Sequence, residues 1–485
     1  MGRTRRKRNI KKERDFCACD NQEEIILLNS WLSKHGMRRN DKLSLAVFND
    51  TGRGVLTKKK IQSGEELMNL PLNLTINVTT ILMDNLFCKI FFENSKQCLV
   101  EYKQSISFQS LMAFYLVFLK LRSGKTKWHI YLESLPKEYS VPYFLPNDVK
   151  QNIDIDILSV ISKQKDIIDS SFNIFENVLV SNISDDSAIQ EFKSSFSLAA
   201  YEWAYFTVNT RCVFMDLSKV VDLKNIEHSI INLICDNTKI SLCPYLDMIN
   251  HSPNARNETK LLVSKNITNV NVNNLSEELF SDVHFSIYTK NDFDPYTQVF
   301  ICYGDSHNLK LITEYGFFLP DNDLDYVSFT FDEVVSFLKT KSIKLSQDQI
   351  SFINNHGLRK DLYIDCKGLS YNFYGLLLVV KYYYDQSTDV SRLIYSAAIC
   401  SHDNNLNDII APMVRTKLNS IKESLDKVSN IDKCVILNNC VELMCQRTKT
   451  SATNNVNNNS FYANKLSNKT HSSSTESGNV PGIWQ

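Results

Sequence analysis

Glycine, proline and long apolar runs are all scarce in this sequence. Its 485 residues include only 13 glycines and 10 prolines, which excludes a collagen-like chain and a mainly disordered one. Apolar runs such as 111–119 and 375–380 are shorter than the roughly 18 residues that cross a bilayer, so we expect no membrane span. The first residues are basic instead of apolar, which is not typical of a secretory signal peptide. We therefore expect an intracellular protein.

The 13 cysteines lack the spacing of a metal site. Cys17 and Cys19 form the one close pair, and no CxxC motif is accompanied by a second one or by a pair of histidines. In a reducing compartment we expect free thiols, most of them buried as small apolar groups. The sequence therefore predicts neither a disulfide framework nor a bound metal.

A net charge of zero conceals an uneven distribution. Residues 1–14 hold eight Lys or Arg and one Glu, which leaves 46 basic and 53 acidic residues in the rest of the chain. We predict a disordered basic tail over 1–20 that serves as a nuclear address, contacts nucleic acid or only aids solubility. The mildly acidic remainder argues against a broad DNA-binding face, so direct nucleic-acid binding is not expected outside this tail.

Between this tail and an Asn- and Ser-rich end, the spacing of apolar residues changes several times. Short alternating runs bounded by Gly and Pro predict strands over 43–78 and again over 284–302. Helical spacing dominates 105–242 and most of the chain after 332. These patterns predict an α+β fold. Its parts are a strand-rich domain over 21–330 with a helical insert over about 84–240, a helical domain over 331–445, and a disordered tail over 446–485.

Three segments carry side chains suited to chemistry. Glycines flank Arg53 between two predicted strands, and they permit close approach of a ligand to the backbone, although such a Gly-x-Gly is more often a plain hairpin turn. Asn250 and His251 end an apolar segment and can present an amide and an imidazole to a purine edge, although a histidine beside a loop is more often a capping or core residue. Tyr303 and Tyr315 are each followed by glycine, which ordinary core tyrosines do not need.

The order of the motifs carries a resemblance that no single motif supports. In chain order they are the Gly52–Gly54 hairpin, Ile61-x-x-Gly64-Glu65 with Leu70-Pro71, Trp128-x-x-Tyr131-Leu132-x-x-Leu135-Pro136, Trp203-Ala204 with Asn209-Thr210-Arg211, Asp247-x-x-Asn250-His251-Ser252, and Tyr303-Gly304 with Glu314-Tyr315-Gly316-Phe317. Together, over about 43–327, they resemble the SET-domain protein methyltransferases of the Rubisco large-subunit (LSMT-like) type. The basic N-terminal segment and the sequences of residues 51–54 and 207–211 are similar to those of the branch called SET domain-containing protein four.

This resemblance implies a fold, a cofactor and a reaction. The fold would be a SET-domain β-fold with a helical insert, a knot-like part in which the Asn-His segment is threaded against the C-terminal strand, and an all-α C-terminal substrate-binding domain. The cofactor would be S-adenosylmethionine, and the reaction would be methyl transfer to a protein lysine. No metal is implied.

The resemblance also implies a role for each matching residue. The methionine part of the cofactor would lie against Gly52, Arg53 and Gly54, its carboxylate against Arg211, and its adenosyl part against Asn250 and His251. Tyr303 would be the catalytic tyrosine. The channel for the target lysine would be lined by Tyr315 and Phe317.

Lysine methylation explains why aromatic residues suit such a site. A lysine amine has a pKa near 10.4, so neutralising it at pH 7 costs about 4.6 kcal/mol. A dry aromatic channel and a nearby sulfonium cation would lower that cost by disfavouring the ammonium form. Tyrosine rings and hydroxyls would then orient the amine without forming a covalent intermediate.

Other functions remain open at the level of sequence. The substrate would be a protein with a lysine-containing tail or loop, and histone tails and non-histone proteins are both candidates. One alternative is a non-catalytic SET scaffold that binds a partner protein, and another is a protein-histidine methyltransferase. We expect the protein in the nucleus and the cytoplasm.

Overall fold

The structure is a computed structural model. It describes residues 15–456 apart from 93–95, 123, 223–227, 264–266, 268–269, 272–274, 281, 396–405 and 432–433. The predicted basic segment 1–14 and residues 457–485 of the predicted C-terminal tail lie outside the described residues. The chain divides into two compact units. Among the described residues, the first comprises those within 15–139 and 167–305, and the second comprises those within 140–166 and 306–456.

Short strands form the framework of the first unit. They are β1 (Phe16–Ala18), β2 (Arg38–Arg39), β3 (Leu43–Phe48), β4 (Gly52–Thr57), β5 (Glu66–Pro71), β6 (Cys212–Phe214), β7 (Val221–Asp222), β8 (Ile240–Leu242), β9 (Asn250–His251), β10 (Asn257–Val263), β11 (Val270–Asn271), β12 (Val283–Thr289) and β13 (Gln298–Ile301). The larger sheets have the orders β1-β3-β4-β13-β9 and β10-β12-β5-β2, and two small pairs, β7 with β11 and β6 with β8, complete the set.

The five-stranded sheet depends on a tight hairpin and on β13. Asn49, Asp50 and Thr51 connect β3 to β4, and polar residues of this kind favour turns. Gly52 follows with φ of +69°, a left-handed conformation that costs glycine little. β13 pairs antiparallel with β4 and parallel with β9. The hairpin and β9 are therefore held on opposite edges of the same strand.

Helices fill most of the chain between the strands. They are α1 (Glu23–Lys34), α2 (Val78–Met83), α3 (Asn85–Phe92), α4 (Lys96–Glu101), α5 (Phe108–Leu121), α6 (His129–Ser134), α7 (Asn147–Lys150), α8 (Ile155–Ser181), α9 (Ser187–Ser195), α10 (Leu198–Arg211) and α11 (Glu277–Phe280). Helix α5 is buried continuously from Phe108 to Leu119, as expected for a helix that is apolar on every side. Its Phe114 ring stacks on Phe175 with 4.2 Å between centroids. This aromatic core belongs to the predicted helical insert.

The second unit is mainly helical. Its later elements are α12 (Asn308–Lys310), a π-helical turn at Leu311–Tyr315, β14 (Tyr326–Phe329), α13 (Phe331–Thr340), α14 (Gln347–Asn355), β15 (Leu362–Asp365), β16 (Gly368–Leu369), α15 (Tyr371–Tyr382), α16 (Val390–Tyr395), α17 (Asn407–Val428) and α18 (Val435–Val456). The apolar cores of α13, α14 and α15 form one cluster with β14 and β15. A mixed α and β fold is therefore confirmed.

We predicted that the C-terminal domain is all-α. The structure differs, because a β-hairpin lies between its helices. Leu362 and Ile364 are buried while Tyr363 and Asp365 between and after them are half-buried, which is the period of two that a strand requires. Gly368 has φ of +116° and begins the return strand. The first of these strands, β15, pairs with β14 on one edge and with β16 on the other, which forms a three-stranded sheet.

A strand and part of a helix lie within the two segments that we predicted as disordered tails. Within the predicted tail 1–20, Phe16 pairs with Phe48 in β1 and β3, and their rings lie 5.9 Å apart. At the other end, α18 continues past residue 445 to Val456. The second unit includes residues 306–330, which we had predicted within the SET domain. Among the described residues, no helix combines the length and the apolar character that crossing a bilayer demands.

Candidate active site

The sheet brings together segments that lie far apart in the chain. Phe300 and Ile301 of β13 pair in parallel with Asn250 and His251 of β9. Two residues earlier, β13 pairs with β4, the strand that begins at Gly52. The segment with Tyr303 directly follows β13. The Gly-x-Gly turn, the Asn-His pair and the predicted catalytic tyrosine therefore meet in the first unit.

Asn250 joins β9 to the turn that begins β4. Its side-chain Nδ2 donates to the carbonyl of Arg53 at 3.1 Å and to the carbonyl of Thr51 at 3.4 Å. The approach leaves no space for a side chain at Gly54, where a Cβ would lie 2.8 Å from Asn250 Nδ2 and 2.5 Å from Gln298 Nε2. Glycine at this position thus allows the amide of Asn250 to reach the backbone.

His251 is neutral and contacts Tyr303. The backbone N–H of Tyr303 donates to His251 Nδ1 at 3.0 Å, so the proton of the neutral ring is on Nε2. The two rings lie 5.1 Å apart. Burial lowers the pKa of His251 to about 4, because the charged imidazolium loses its hydration. At neutral pH this side chain therefore offers a polar but uncharged surface.

Tyr303 is held as a hydrogen-bond donor. Its Oη donates to the carbonyl of Ile249 at 2.7 Å. Burial raises the pKa of the phenol above its usual range, Asp247 adds to this, and Arg211 opposes it. The phenol is therefore protonated at neutral pH, and it is not a base.

Arg211 lies at the end of α10 and forms a buried ion pair. Its Nη1 donates to Asp247 Oδ2 at 3.2 Å and to the Asp247 carbonyl at 3.1 Å, and the side chain of Asp247 is fully buried. Burial alone would lower the pKa of Arg211, but Asp247, Tyr139 and Tyr131 outweigh it and raise that pKa further. Arg211 therefore carries a fixed positive charge.

This ion pair leaves two polar atoms with hydrogen-bonding capacity. Within the described part of the chain, Arg211 Nε and Asp247 Oδ1 are buried and have no hydrogen-bond partner. A buried N–H without a partner costs about 1–3 kcal/mol. Such a donor on a charged guanidinium is suited to an anionic group, above all a carboxylate.

Sequence reasoning missed Asp247 and Tyr131 as site residues. The Tyr131 Oη donates to Asp247 Oδ2 at 3.0 Å, so the carboxylate has two donors. The signal was present, because both residues stand within the motifs that carry the family resemblance. Their roles escaped notice because they support Arg211 instead of facing a ligand.

The turn that carries Asp247 begins at a strained residue. Tyr245 has φ of +72°, an uncommon conformation for a bulky residue. Its ring is fully buried, and its hydroxyl accepts a hydrogen bond from Arg39 Nη1 at 3.0 Å. Strain of this kind persists only where the surroundings hold it and is concentrated at functional sites.

The other predicted residues occupy different surroundings. Arg53 Nη1 donates to the carbonyl of Ser134 at 2.8 Å, so the guanidinium contacts the C-terminal end of α6, a favourable place for a cation. Tyr315 and Phe317 belong to the second unit. Their rings lie 6.2 Å apart, with Gly316 between them at φ of +79°.

Among the described residues, no group of three or more His, Cys, Asp or Glu side chains is arranged to hold a metal ion. Cys212 and Cys243 near the site are free thiols. Burial raises the pKa of both, so neither is a nucleophilic thiolate.

Two known proteins resemble the chain over most of its length. SET domain-containing protein 4 of Artemia parthenogenetica is 25% identical over 419 residues, which cover 86% of this chain and 93% of that protein. Ribosomal lysine N-methyltransferase set11 of Schizosaccharomyces pombe is 26% identical over 421 residues, or 85% of this chain and 92% of that protein. No family model matches the sequence.

A solved structure shares the fold. The SET domain of LSMT bound to lysine and AdoHcy superposes with a TM-score of 0.56 at 14% identity, and the match covers 90% of this chain and 93% of that one. The predicted resemblance to LSMT-like SET-domain proteins and to SET domain-containing protein 4 is thus confirmed. The α+β fold class, with a SET-domain-like part and a mainly helical C-terminal part, is confirmed as well.

The lowered pKa of His251 predicts a pH dependence of stability. The unfolded histidine has a pKa near 6.5, so the contribution of neutral His251 is present above pH 6.5 and is lost as pH falls toward about 4. The thermal midpoint of His251→Gln should therefore fall less between pH 7 and pH 5 than that of the wild type. The exposed His129, changed to Gln, is the control. An equal change of the thermal midpoint with pH in all three proteins would contradict a lowered pKa of His251.

Proposed function

We propose that this protein is an S-adenosylmethionine-dependent protein-lysine N-methyltransferase. The observation that carries the proposal is the pairing of β13 with both β4 and β9. With this pairing, Asn250 contacts the Gly52–Gly54 turn and His251 contacts Tyr303. The fold shared with LSMT and the homologous lysine methyltransferase of fission yeast support the same chemistry.

The residues present fit the cofactor. The partnerless Nε–H of Arg211 suits the carboxylate of its methionine part. Neutral His251 and the amide of Asn250 suit the adenosyl part, which carries no charge. When bound, S-adenosylmethionine supplies a methyl group on a positively charged sulfur, and no metal is needed to activate it.

Tyr303 positions the reacting groups and does not take a proton. Because its raised pKa keeps the phenol protonated, Tyr303 is not the group that removes the proton from the lysine ammonium. The contact with His251 and the bond to the Ile249 carbonyl fix the ring and the hydroxyl. A fixed hydroxyl can align the amine, and such orientation accounts for a large part of many rate enhancements.

Replacing Tyr303 by Phe tests this role. The ring volume remains and one hydrogen bond is lost, so the stability should change by about 1 kcal/mol or less. Cofactor affinity should hold, whereas kcat should fall at least about tenfold, or about 1.4 kcal/mol. The measurements are the thermal midpoint, calorimetric titration of S-adenosylmethionine, and transfer of labelled methyl groups to lysate proteins.

The exposed Tyr296, also changed to Phe, is the matched control for that experiment. Equal transfer rates for wild type and Tyr303→Phe would remove Tyr303 from the mechanism. Mass spectrometry of the products identifies the modified side chain. Methyl-histidine in place of methyl-lysine would favour the histidine alternative, and cofactor binding without any transfer would favour the scaffold.

The substrates and the location of the protein are part of the proposal. We infer that the substrate is a lysine in an exposed tail or loop of a histone or a non-histone protein, and that the protein works in the nucleus and cytoplasm. The basic segment 1–14 supports nuclear entry, because dense Lys and Arg runs are typical of nuclear addresses.

Deleting residues 1–14 tests the nuclear address. A fluorescently tagged protein should shift toward the cytoplasm, while methyl transfer by the purified variant should equal that of the wild type. A control variant that keeps the segment length but replaces its eight basic residues by Ser separates charge from length. An unchanged distribution in both variants would reduce the segment to a solubilising tail.

A further inference from the structure

The turn with Tyr315 and Phe317 is held from within by an unusual backbone. Residues Leu311–Tyr315 form a π-helical turn, and the Gly316 N–H closes it on the Leu311 carbonyl at 3.0 Å. Gly316 then takes the left-handed conformation with φ of +79°. π-Helical turns are rare and are frequent at functional sites.

Three separate segments of the second unit hold this turn from outside. The Gln164 Nε2 donates to the Thr313 carbonyl at 3.0 Å. The Gly316 carbonyl accepts two hydrogen bonds, one from Ser140 Oγ at 3.1 Å and one from Asn439 Nδ2 at 2.9 Å. A Cβ at Gly316 would lie 2.7 Å from Ser140 Oγ, so the turn and Ser140 are packed as closely as glycine permits.

The donor Asn439 stands on a helix that is itself anchored. In α18, Asn439, Leu443 and Arg447 are spaced four residues apart and therefore share one face. Arg447 is only 2% exposed, and its Nη1 contacts Asp156 Oδ2 at 3.0 Å and Asp154 Oδ1 at 3.4 Å. Removal of one partner from a buried ion pair is strongly destabilising, because it leaves the other charge buried without compensation. The ion pairs thus fix the register of α18 and the place of Asn439.

We propose that Asn439 is a positioning residue for the protein substrate. By holding the Gly316 carbonyl, it fixes the backbone between Tyr315 and Phe317 and thereby sets the direction of both rings. The proposal rests on the proposed function and on the role that the family resemblance implies for these two rings, which is to line the channel for the target lysine. It predicts that a residue in the last described helix controls how well a substrate lysine is received.

The contacts around Asn439 indicate that its side chain can be removed without unfolding the protein. Ser140 still donates to the Gly316 carbonyl when Asn439 is lost, so no buried acceptor is left without a partner. Asn439 is half-buried, and its truncation opens little space. The expected consequence is a looser turn in a folded protein.

Asn439→Ala and Asn438→Ala form a matched pair for the test. Asn438 is the exposed neighbour on the same helix. Hydrogen–deuterium exchange over 311–317 should be faster in Asn439→Ala than in the wild type and unchanged in Asn438→Ala. The substrate is a lysate protein that mass spectrometry has identified as methylated by the wild type, and its KM should rise about three- to tenfold, as expected for one lost hydrogen bond. The kcat and the affinity for S-adenosylmethionine should be unchanged, and Asn439→Gln, which restores an amide donor, should recover part of the loss.

The outcomes are distinguishable from a failure of the proposed function. Faster exchange without a change in KM overturns the proposal, because the hydrogen bond would then be structural only. Unchanged exchange together with unchanged KM overturns it as well. A wild-type protein that binds the cofactor and transfers no methyl group to any protein overturns the proposed function, and with it the role of Asn439 toward a substrate.

Discussion

The parallel pairing of β9 with β13 is the contact on which the candidate active site depends. Only four residues, Asn250, His251, Phe300 and Ile301, form it. β13 is also paired with β4, so the same strand carries the Gly-x-Gly turn on one edge and the Asn-His pair on the other. The chain segment after β13 then delivers Tyr303 to His251. A one-residue slip would turn each of these side chains to the opposite face.

A buried ion pair links the helical insert to this arrangement. Arg211 ends α10, and Asp247 lies in the turn just before β9. Burying these two charges costs desolvation free energy. Their mutual attraction offsets that cost only when the geometry is good and further hydrogen bonds are made. Tyr131 supplies one such bond. The partnerless Arg211 Nε and Asp247 Oδ1 show that the local hydrogen bonding is incomplete within the described chain, as expected where a polar ligand completes it.

The sequence motifs indicated segments that the structure brings together, while the roles of their residues toward a ligand stay predictions. Asn250 contacts the turn that contains Gly54, and His251 contacts Tyr303. What the motifs did not predict are the long-range partners. The contact of Arg53 with the Ser134 carbonyl and the support of Arg211 by Asp247 depend on how helices pack against the sheet.

In the fold as well, features that depend on local residue spacing were predicted, whereas features that depend on strand pairing were not. Spacing of apolar residues predicted the strand-rich part, the helical insert and the helical C-terminal part. It missed the hairpin at 362–369, since two short strands among long helices give only a weak alternating signal. The sequence analysis also missed strand β1 at Phe16–Ala18. Composition identifies the basic segment before it but does not show that Phe16 pairs with Phe48.

The most direct test of the account is calorimetric titration of S-adenosylmethionine into the wild type and the Asn250→Ala variant, with the exposed Asn254→Ala as control. Wild type and Asn254→Ala should bind the cofactor with equal affinity. Asn250→Ala should bind about tenfold more weakly, since its bonds to the Gly-x-Gly turn are lost at a cost of about 1–2 kcal/mol. A wild type that does not bind the cofactor, or an Asn250→Ala variant with undiminished affinity, would contradict the claim that the pairing of β9 and β13 builds a cofactor site.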